Sequence, residues 1–143
     1  MKINVIKYKS NAYYEVLELR KEILRKPLGL KFSKEDLALE FDQIHIAYFK
    51  ENEIVAGLIL VPSENGKIKM RQVCVATKMQ GKGIGKELVL FAENWAKEKQ
   101  YSEMYCHARK NALAFYKKLD YELVGDVFIE VGLEHYKLVK KLG

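Results

Sequence analysis

The 143-residue sequence has two prolines, two cysteines and no apolar run long enough to span a membrane. Without a Pro/Gly/Ser-rich linker or an internal repeat, it predicts one domain over residues 1–143. Cys74 and Cys106 lie in apolar runs without metal-ligand spacing, so we expect no metal. No segment like a signal peptide precedes the first predicted strand, and we expect a reduced, cytoplasmic protein without membrane contact.

The positive charge does not form a single basic tract. The net charge is +6 and the sequence pI is about 9.2, but the lysines alternate with acids, as in Lys86-Glu87 and Lys97-Glu98-Lys99. This pattern is typical of solvated helix faces, and there is no cluster of basic and aromatic residues of the kind that binds nucleic acid. We therefore expect no nucleic-acid partner, whereas a small phosphate-rich ligand would suit the charge equally well.

The hydrophobic periodicity predicts the order β-α-α-β-β-β-α-β-α-β-β, which implies one mixed sheet with helices on its faces. Pro27 and Gly29 should end the first helix, Ser33 should cap the second, and His45 should face solvent. The long third helix should bury a stripe of Ile84, Leu88, Phe91 and Trp95. The predicted strands are 3–8, 44–49, 54–61, 67–76, 103–108, 124–130 and 133–140; the helices start near residues 11, 33, 83 and 111.

The strand at residues 67–76 has an irregular apolar pattern. Ile68 and Met70 share one parity and Val73 and Val75 the other. Either a β-bulge near Arg71 and Gln72 shifts the alternation, or both faces of the strand are buried. Bulges often redirect backbone groups beside a ligand.

A glycine-rich segment, Gln80-Gly81-Lys82-Gly83-Ile84-Gly85, joins this strand to the long helix. Its glycines allow a ligand to approach the backbone, and the first amides of the helix are free to bind an anion. A plain turn with solvated lysines is the alternative. The spacing fits neither a dinucleotide fingerprint nor a P-loop, because Lys86 stands where the first needs glycine and Glu87 where the second needs Ser or Thr.

The segment Gln80-x-x-Gly83-x-Gly85 resembles the pyrophosphate loop of the GNAT superfamily of acetyl-CoA-dependent N-acyltransferases. Residues 111–119, NALAFYKKL, resemble the second signature of that family, with Asp120 where glycine is common. The resemblance covers essentially the whole chain and implies an α+β fold: a mixed, mainly antiparallel seven-stranded sheet with about four helices. Residues 24–30 and 128–135 are similar to a bacterial subgroup of uncharacterised members.

The resemblance also implies roles for individual residues. The backbone of residues 73–75 would pair with the pantetheine arm, residues 80–86 would hold the pyrophosphate, Asn111 would bind the arm and Phe115 would pack beside it. Tyr116 would protonate the leaving thiolate. The coenzyme-binding set is Val73, Cys74, Val75, Gln80, Gly81, Lys82, Gly83, Ile84, Gly85, Lys86, Asn111 and Phe115. Apart from the resemblance, Tyr116 also fits a core aromatic at helical spacing.

Residues 69–73 contain no carboxylate that could serve as the general base. Glu130 and His135 flank the last predicted turn and are our candidates for the base or for substrate ligands; His107 ranks third. A water relay is a further alternative.

The sequence thus predicts acetyl transfer from acetyl-CoA to an amine of a small molecule or peptide by direct attack. A non-catalytic acyl-CoA-binding or sensing module is the alternative, and a homodimer is one option for assembly.

Overall fold

The computed structural model describes residues 2–143. Over these residues, seven strands and four α-helices follow one another in the predicted order, with short 3₁₀ and π-helical turns between them. The strands are β1 (Lys2–Ile6), β2 (Ile44–Lys50), β3 (Glu53–Pro62), β4 (Lys67–Val75), β5 (Glu103–Ala108), β6 (Glu122–Glu130) and β7 (Leu133–Lys141). The helices are α1 (Asn11–Arg20), α2 (Lys34–Ala38), α3 (Ile84–Glu98) and α4 (Leu113–Lys118).

The strands form a seven-stranded sheet in the order β1-β2-β3-β4-β5-β7-β6. β4 and β5 are parallel and are joined through α3, whereas β1–β2, β2–β3, β5–β7 and β6–β7 are antiparallel. A parallel pair needs a crossover connection, and the helix supplies it. The predicted α+β class, with a mixed and mainly antiparallel sheet, is confirmed.

The chain divides into two compact units. The first comprises the chain up to Val61 together with Gln72–Ala92, and the second comprises Pro62–Arg71 and Glu93–Gly143. The single domain predicted over residues 1–143 stays a prediction. Within residues 2–143, no helix is both long and apolar enough to cross a membrane.

In the first unit, the contacts of α1 explain its position. Ser10 Oγ accepts a hydrogen bond from the Tyr13 amide (3.2 Å) and so caps the helix. Val16 packs with Ala47 and Ile54, and Gly57 faces Val16 so closely that a Cβ on Gly57 would lie 2.7 Å from it. Gly57 lies on β3, so a larger residue at this position would push α1 away from β3.

The ends of α1 and α2 follow the sequence signals. After Arg20 the helix widens into a π-helical turn, Lys21–Arg25, and a 3₁₀ turn, Lys26–Leu28, ends at Gly29 with φ +68°. Ser33 Oγ accepts a hydrogen bond from the amide of Asp36 at 3.0 Å. The predicted stop at Pro27 and Gly29 and the predicted cap at Ser33 are both confirmed.

A buried polar network joins α1 to the turn Leu39–Asp42 that follows α2. Arg20 donates to both carboxylate oxygens of Glu40, at 2.9 and 2.6 Å, and the hydroxyl of Tyr13 donates to Oε1 at 3.0 Å. His45 is 3% exposed, and its Nε2 lies 2.9 Å from the Glu40 carbonyl oxygen. The prediction that His45 faces solvent was wrong, because both faces of β2 are covered and alternation then does not indicate exposure.

In the second unit, Glu93 of α3 is the buried polar anchor. It accepts hydrogen bonds from Lys140 Nζ at 2.8 Å and from the Tyr121 hydroxyl at 2.9 Å, and the same hydroxyl lies 3.4 Å from Met104 Sδ. Asp120, just before Tyr121, has φ 72°, the left-handed conformation that commonly ends a helix.

The buried stripe of α3 is only partly the predicted one. Ile84 and Leu88 are buried, but Phe91 and Trp95 are half-buried. Val89, Ala92, Glu93 and Ala96 are buried as well. The buried positions of α3 therefore include small and polar residues that a stripe of large apolar side chains does not predict.

Candidate active site

The backbone of β4 is interrupted where the sequence predicted a bulge. Gln72 has φ 56°, which a non-glycine residue seldom adopts, and the register with β5 ends at the pair Met70–Cys106. The predicted irregularity is therefore present. The predicted bulge treated Val73 and Val75 as buried residues. This was wrong, because both are half-buried, whereas Cys74 between them is buried.

Gln72 also has an unusual side chain and is not among the site residues predicted from the sequence. Within residues 2–143 its Oε1 is buried without a hydrogen-bond partner. A buried acceptor without a donor costs about 1–3 kcal/mol. Such atoms are rare in folded proteins and need an explanation, and one explanation is a ligand donor that completes the bond.

The glycine-rich loop has the conformation that only glycine adopts easily. Gly81 and Gly83 have φ of +78° and +81°, both are exposed, and a Cβ on either would meet no atom within 4 Å. Gln80 Nε2 donates to the Val75 carbonyl at 3.0 Å and so ties the loop to the end of β4. The open space beside these glycines is therefore available to a ligand.

The loop leads directly into α3. The Gly83 carbonyl accepts the first helical bond from the Glu87 amide at 3.1 Å, so the amides of Gly83, Ile84, Gly85 and Lys86 have no carbonyl within the helix. Lys82 and Lys86 are exposed at the same end. The free amides, the helix dipole and the two lysines together favour an anion.

The carboxylate of Glu87 partly offsets this positive charge, but a hydrogen bond fixes its orientation. It accepts a hydrogen bond from the hydroxyl of Tyr48, and this bond together with burial raises the pKa of Tyr48 to about 12. The Glu87 carboxylate is therefore oriented by β2 of the same unit. An acidic residue in the first turn also complements the helix dipole.

In the second unit, the signature helix is α4 with the 3₁₀ turn Lys110–Ala112 before it. Asn111 is exposed and Phe115 is half-buried, whereas Tyr116 is only 6% exposed. The Tyr116 ring lies 5.0 Å from that of Phe115 and 5.5 Å from that of Tyr121. Burial, and secondarily Cys106, raises the pKa of Tyr116, so its hydroxyl is neutral at physiological pH.

Both cysteines are buried and free. Burial raises the pKa of Cys74 and that of Cys106 to about 12. The thiolate is the reactive form of cysteine, so neither residue is suited to act as a nucleophile. The Sγ of Cys74 donates a hydrogen bond to the carbonyl oxygen of Gly57 at 3.8 Å.

The structure brings three of the predicted residues together. His107 Nδ1 lies 3.1 Å from Glu130 Oε1, and His135 Nε2 lies 3.8 Å from Glu130 Oε2. The ring centroid of Phe128 lies 4.8 Å from that of His107 and 6.1 Å from that of His135. We call His107, Glu130 and His135 the carboxylate–imidazole cluster.

Strand register explains why these side chains meet. His107 of β5 pairs with Lys137 of β7, and Phe128 of β6 pairs with His135. Residues two apart on a strand share a face, so His135 and Lys137 lie on the same side as His107. Glu130, two residues from Phe128, lies there as well.

The two titrating groups of the closest pair have shifted pKa values. Burial alone would raise the pKa of Glu130, but the hydrogen bond from His107 and the charge of Lys69 outweigh it and hold the pKa below its ordinary value. Burial lowers the pKa of His107; the hydrogen bond to Glu130 opposes this effect without cancelling it. At neutral pH the pair is therefore a carboxylate and a neutral imidazole.

The sequence ranked His107 below Glu130 and His135 as a candidate base. One signal could have given His107 a higher rank. Met104, Cys106 and Ala108 are the buried residues of β5, and His107 alternates with them on the other face. The pairing of β5 with β7, which no local pattern reveals, places the cluster on that face. Within residues 2–143, no group of three or more His, Cys, Asp or Glu side chains is arranged to hold a metal ion.

The interrupted strand, the glycine loop and the α+β sheet together define an acyl-CoA N-acyltransferase type of fold, and comparison with known proteins agrees. The acetyltransferase (GNAT) domain matches residues 19–142. The chain belongs to the GNAT family of acetyltransferases, which use acetyl-CoA as the acyl donor. The predicted family, acyltransferase class and donor are confirmed.

Two relatives from Bacillus subtilis (strain 168) align over most of their length. The uncharacterised protein YyaT is 27% identical over 135 residues, which are 90% of this chain and 88% of YyaT. The uncharacterised N-acetyltransferase YjcF is 26% identical over 132 residues, which are 91% of this chain and 90% of YjcF.

Solved structures share the fold at lower identity. A GNAT family acetyltransferase from Elizabethkingia anophelis, crystallised with acetyl-CoA bound, superposes with a TM-score of 0.76 at 20% identity. The alignment covers 98% of this chain and 97% of that protein. At this identity the likeness establishes the fold.

Proposed function

We propose that this protein transfers the acetyl group of acetyl-CoA directly to the amine of a small molecule or peptide. The observation that carries the proposal is the glycine loop, in which Gly81 and Gly83 have positive φ and open space at the helix start. The amine nitrogen attacks the thioester carbonyl carbon and forms the C–N bond. The C–S bond then breaks, the nitrogen loses a proton and the sulfur gains one.

The residues of the first unit fit the coenzyme part of the donor. We assign the pyrophosphate to the loop and helix start, Gln80, Gly81, Lys82, Gly83, Ile84, Gly85 and Lys86, because amides and lysines there favour an anion. We assign the pantetheine arm to the backbone of Val73, Cys74 and Val75. Pantetheine carries amide N–H groups, and the buried Gln72 Oε1 is an acceptor that such a group would satisfy.

In the second unit, we assign Asn111 and Phe115 to the coenzyme arm and Tyr116 to the leaving sulfur. The raised pKa of Tyr116 limits what its hydroxyl can do. A thiol has a pKa near 8.5, so full proton transfer from a much weaker acid is unfavourable. Tyr116 therefore acts mainly by donating a hydrogen bond to the developing thiolate.

The carboxylate–imidazole cluster favours an enzyme over a binding module. The sequence lacks a carboxylate in residues 69–73, and this absence favours a non-catalytic module. Glu130, held 3.1 Å from His107 Nδ1, supplies a carboxylate from a different strand. We keep Glu130 and His135 as proposed catalytic or acceptor-binding residues.

The test is acetyl-CoA binding followed by turnover. Calorimetry should detect binding in the low-micromolar to submillimolar range, and the ligand should raise the melting temperature because it binds only the folded state. A panel of polyamines, amino sugars, amino acids and peptides should contain at least one amine that the protein acetylates. The assay measures the free thiol of coenzyme A that this reaction releases. Binding without turnover on any amine would favour the sensing module, and the absence of binding would contradict the proposal.

Two further parts of the proposal concern the cell rather than the chemistry. We propose a reducing, cytoplasmic location, which is compatible with Cys74 and Cys106 being free thiols. We keep a homodimer as a proposal; light scattering during size-exclusion chromatography would give the molar mass in solution, against 16.6 kDa for one chain.

A further inference from the structure

We infer that His107 is the general base that removes the proton from the acceptor amine and that Glu130 is its positioning residue. This inference rests on the proposed function and goes beyond it by choosing among the residues of the carboxylate–imidazole cluster. It is carried by the hydrogen-bond geometry of the two imidazoles, by their neighbours and by the two faces of β5.

The proton between His107 and Glu130 must belong to the imidazole. An ionised carboxylate can only accept, so at 3.1 Å Nδ1 of His107 donates to Oε1 of Glu130. In the neutral ring this leaves the lone pair on Nε2. A carboxylate that fixes one nitrogen of an imidazole so that the other can accept a proton is the arrangement used for general bases in many enzymes.

His135 has the opposite arrangement. Its Nδ1 lies 2.9 Å from the Leu133 carbonyl oxygen, which can only accept, so Nδ1 carries a proton. Its Nε2 faces Glu130 Oε2 at 3.8 Å. That nitrogen faces the carboxylate, and the His135 side chain is 10% exposed against 23% for His107. An incoming amine therefore reaches Nε2 of His107 more readily, and the geometry favours His107 over His135 as the base.

The charged groups around His107 come from three strands. Lys69 of β4 and Lys137 of β7 lower its pKa, and Glu130 of β6 raises it; burial is the largest effect and lowers it. The rings of Tyr105 and Phe128 lie nearby, with centroids 6.0 and 4.8 Å from that of His107. The His107 side chain is 23% exposed, so it is shielded but reachable.

The two faces of β5 separate His107 from Tyr116, the proposed hydrogen-bond donor to the sulfur. Tyr121 contacts Met104, and Tyr116 interacts with Cys106, so the helix side covers the face of the even-numbered residues. His107 lies on the other face. Tyr116 can therefore serve the leaving sulfur while His107 serves the attacking amine.

The proton balance is complete without a co-reactant. As the C–N bond forms, Nε2 of His107 accepts the proton that the amine nitrogen must lose. As the C–S bond breaks, the sulfur takes its electron pair and a proton, finally from solvent. His107 then releases its proton to solvent, and the amide and free coenzyme A leave.

The decisive variant is His107→Asn, because the asparagine amide nitrogen can occupy the place of Nδ1 and still donate to Glu130. We expect kcat/KM to fall about 100-fold or more, while acetyl-CoA affinity and the melting temperature stay close to those of the parent. The acidic limb of the pH profile should disappear, and added imidazole should restore part of the rate. His135→Asn should lose less than His107→Asn.

Two charge variants test positioning against a merely structural role. With one acceptor amine throughout, Glu130→Gln removes the charge that favours imidazolium and should move the acidic limb to lower pH. Lys137→Gln removes a charge that opposes imidazolium and should move the limb to higher pH. Shifts in opposite directions would support the inference, whereas equal losses at every pH would contradict it.

The outcomes also separate this inference from the proposed function. A parent that binds acetyl-CoA and acetylates no amine overturns both. An active parent with His107→Asn equally active and an unchanged pH profile overturns only the assignment of the base. The same holds if His135→Asn loses the greater part of the activity.

Discussion

Nδ1 of His107 donates a hydrogen bond to Oε1 of Glu130 across 3.1 Å, between strands that are not neighbours in the sheet. β7 separates β5 from β6, so the side chains meet above the intervening strand. Because the contact joins residues 23 positions apart in the sequence, it forms only when the last hairpin has paired with β5. The hydrogen bond therefore depends on the folding of this unit, and the protonation of His107 makes the stability of the unit depend on pH.

The His107→Asn variant should make folding stability less sensitive to pH. The folded pKa of His107 is below the ordinary value of 6.5, so the unfolded chain binds the proton more tightly. The contribution of neutral His107 to the free energy of unfolding is fully present above pH 6.5 and is lost as the pH falls toward the folded pKa. Glu130 adds a loss in the same direction, but only below its ordinary value of 4.5. Urea midpoints of the parent should fall more steeply than those of His107→Asn between about pH 6.5 and 5; parallel curves would contradict this.

Gly83→Ala should weaken acetyl-CoA binding, and Gly29→Ala is the matched control. Both glycines are exposed, have φ of +81° and +68°, and would place a Cβ in open space. The backbone strain is therefore similar, at about 1–2 kcal/mol of stability in each case. Only the Cβ at position 83 would enter the proposed pyrophosphate space. Calorimetry should show at least a tenfold loss of affinity for Gly83→Ala alone, and equal affinities would mean that the loop is only a turn.

Tyr116→Phe should reduce turnover while acetyl-CoA binding is retained. The change keeps the ring between Phe115 and Tyr121 and removes only the hydroxyl. Loss of a positioned acid typically costs about 10²–10⁴-fold, and we expect a smaller loss, about tenfold, because the thiolate is a tolerable leaving group. Steady-state rates with a good amine give the answer. If binding collapses, the hydroxyl is a coenzyme ligand; if both survive, Tyr116 is a core residue.

Glu40→Gln should strongly destabilise the first unit. The change leaves the Arg20 guanidinium buried at 1% exposure without its carboxylate partner. Breaking one side of a buried ion pair costs about 3–5 kcal/mol. Glu22→Gln makes the same chemical change in the exposed pair with Lys26 and should have little effect. Urea denaturation of both variants measures the difference, and similar midpoints would show that the buried network is dispensable.

The helix boundaries were the part of the fold that local sequence predicted best. Ser33 caps α2 because its hydroxyl satisfies an amide three residues away, and Gly29 ends the preceding turn because it accepts positive φ. Both are short-range effects. His45 was misjudged because its burial depends on the Leu39–Asp42 turn, which folds over β2 from outside the strand.

For the candidate site, the sequence by itself determined the glycine loop, since Gly81 and Gly83 are needed wherever the backbone takes positive φ before a helix. It also determined the family signature and the residue types available for acid–base chemistry. Only the tertiary structure decided which of these meet: the register of β5, β7 and β6 places Glu130 against His107 and turns Nε2 of His135 toward the same carboxylate. Strand pairing is set by contacts between distant residues, so the choice of His107 over His135 follows from the folded sheet rather than from any local pattern.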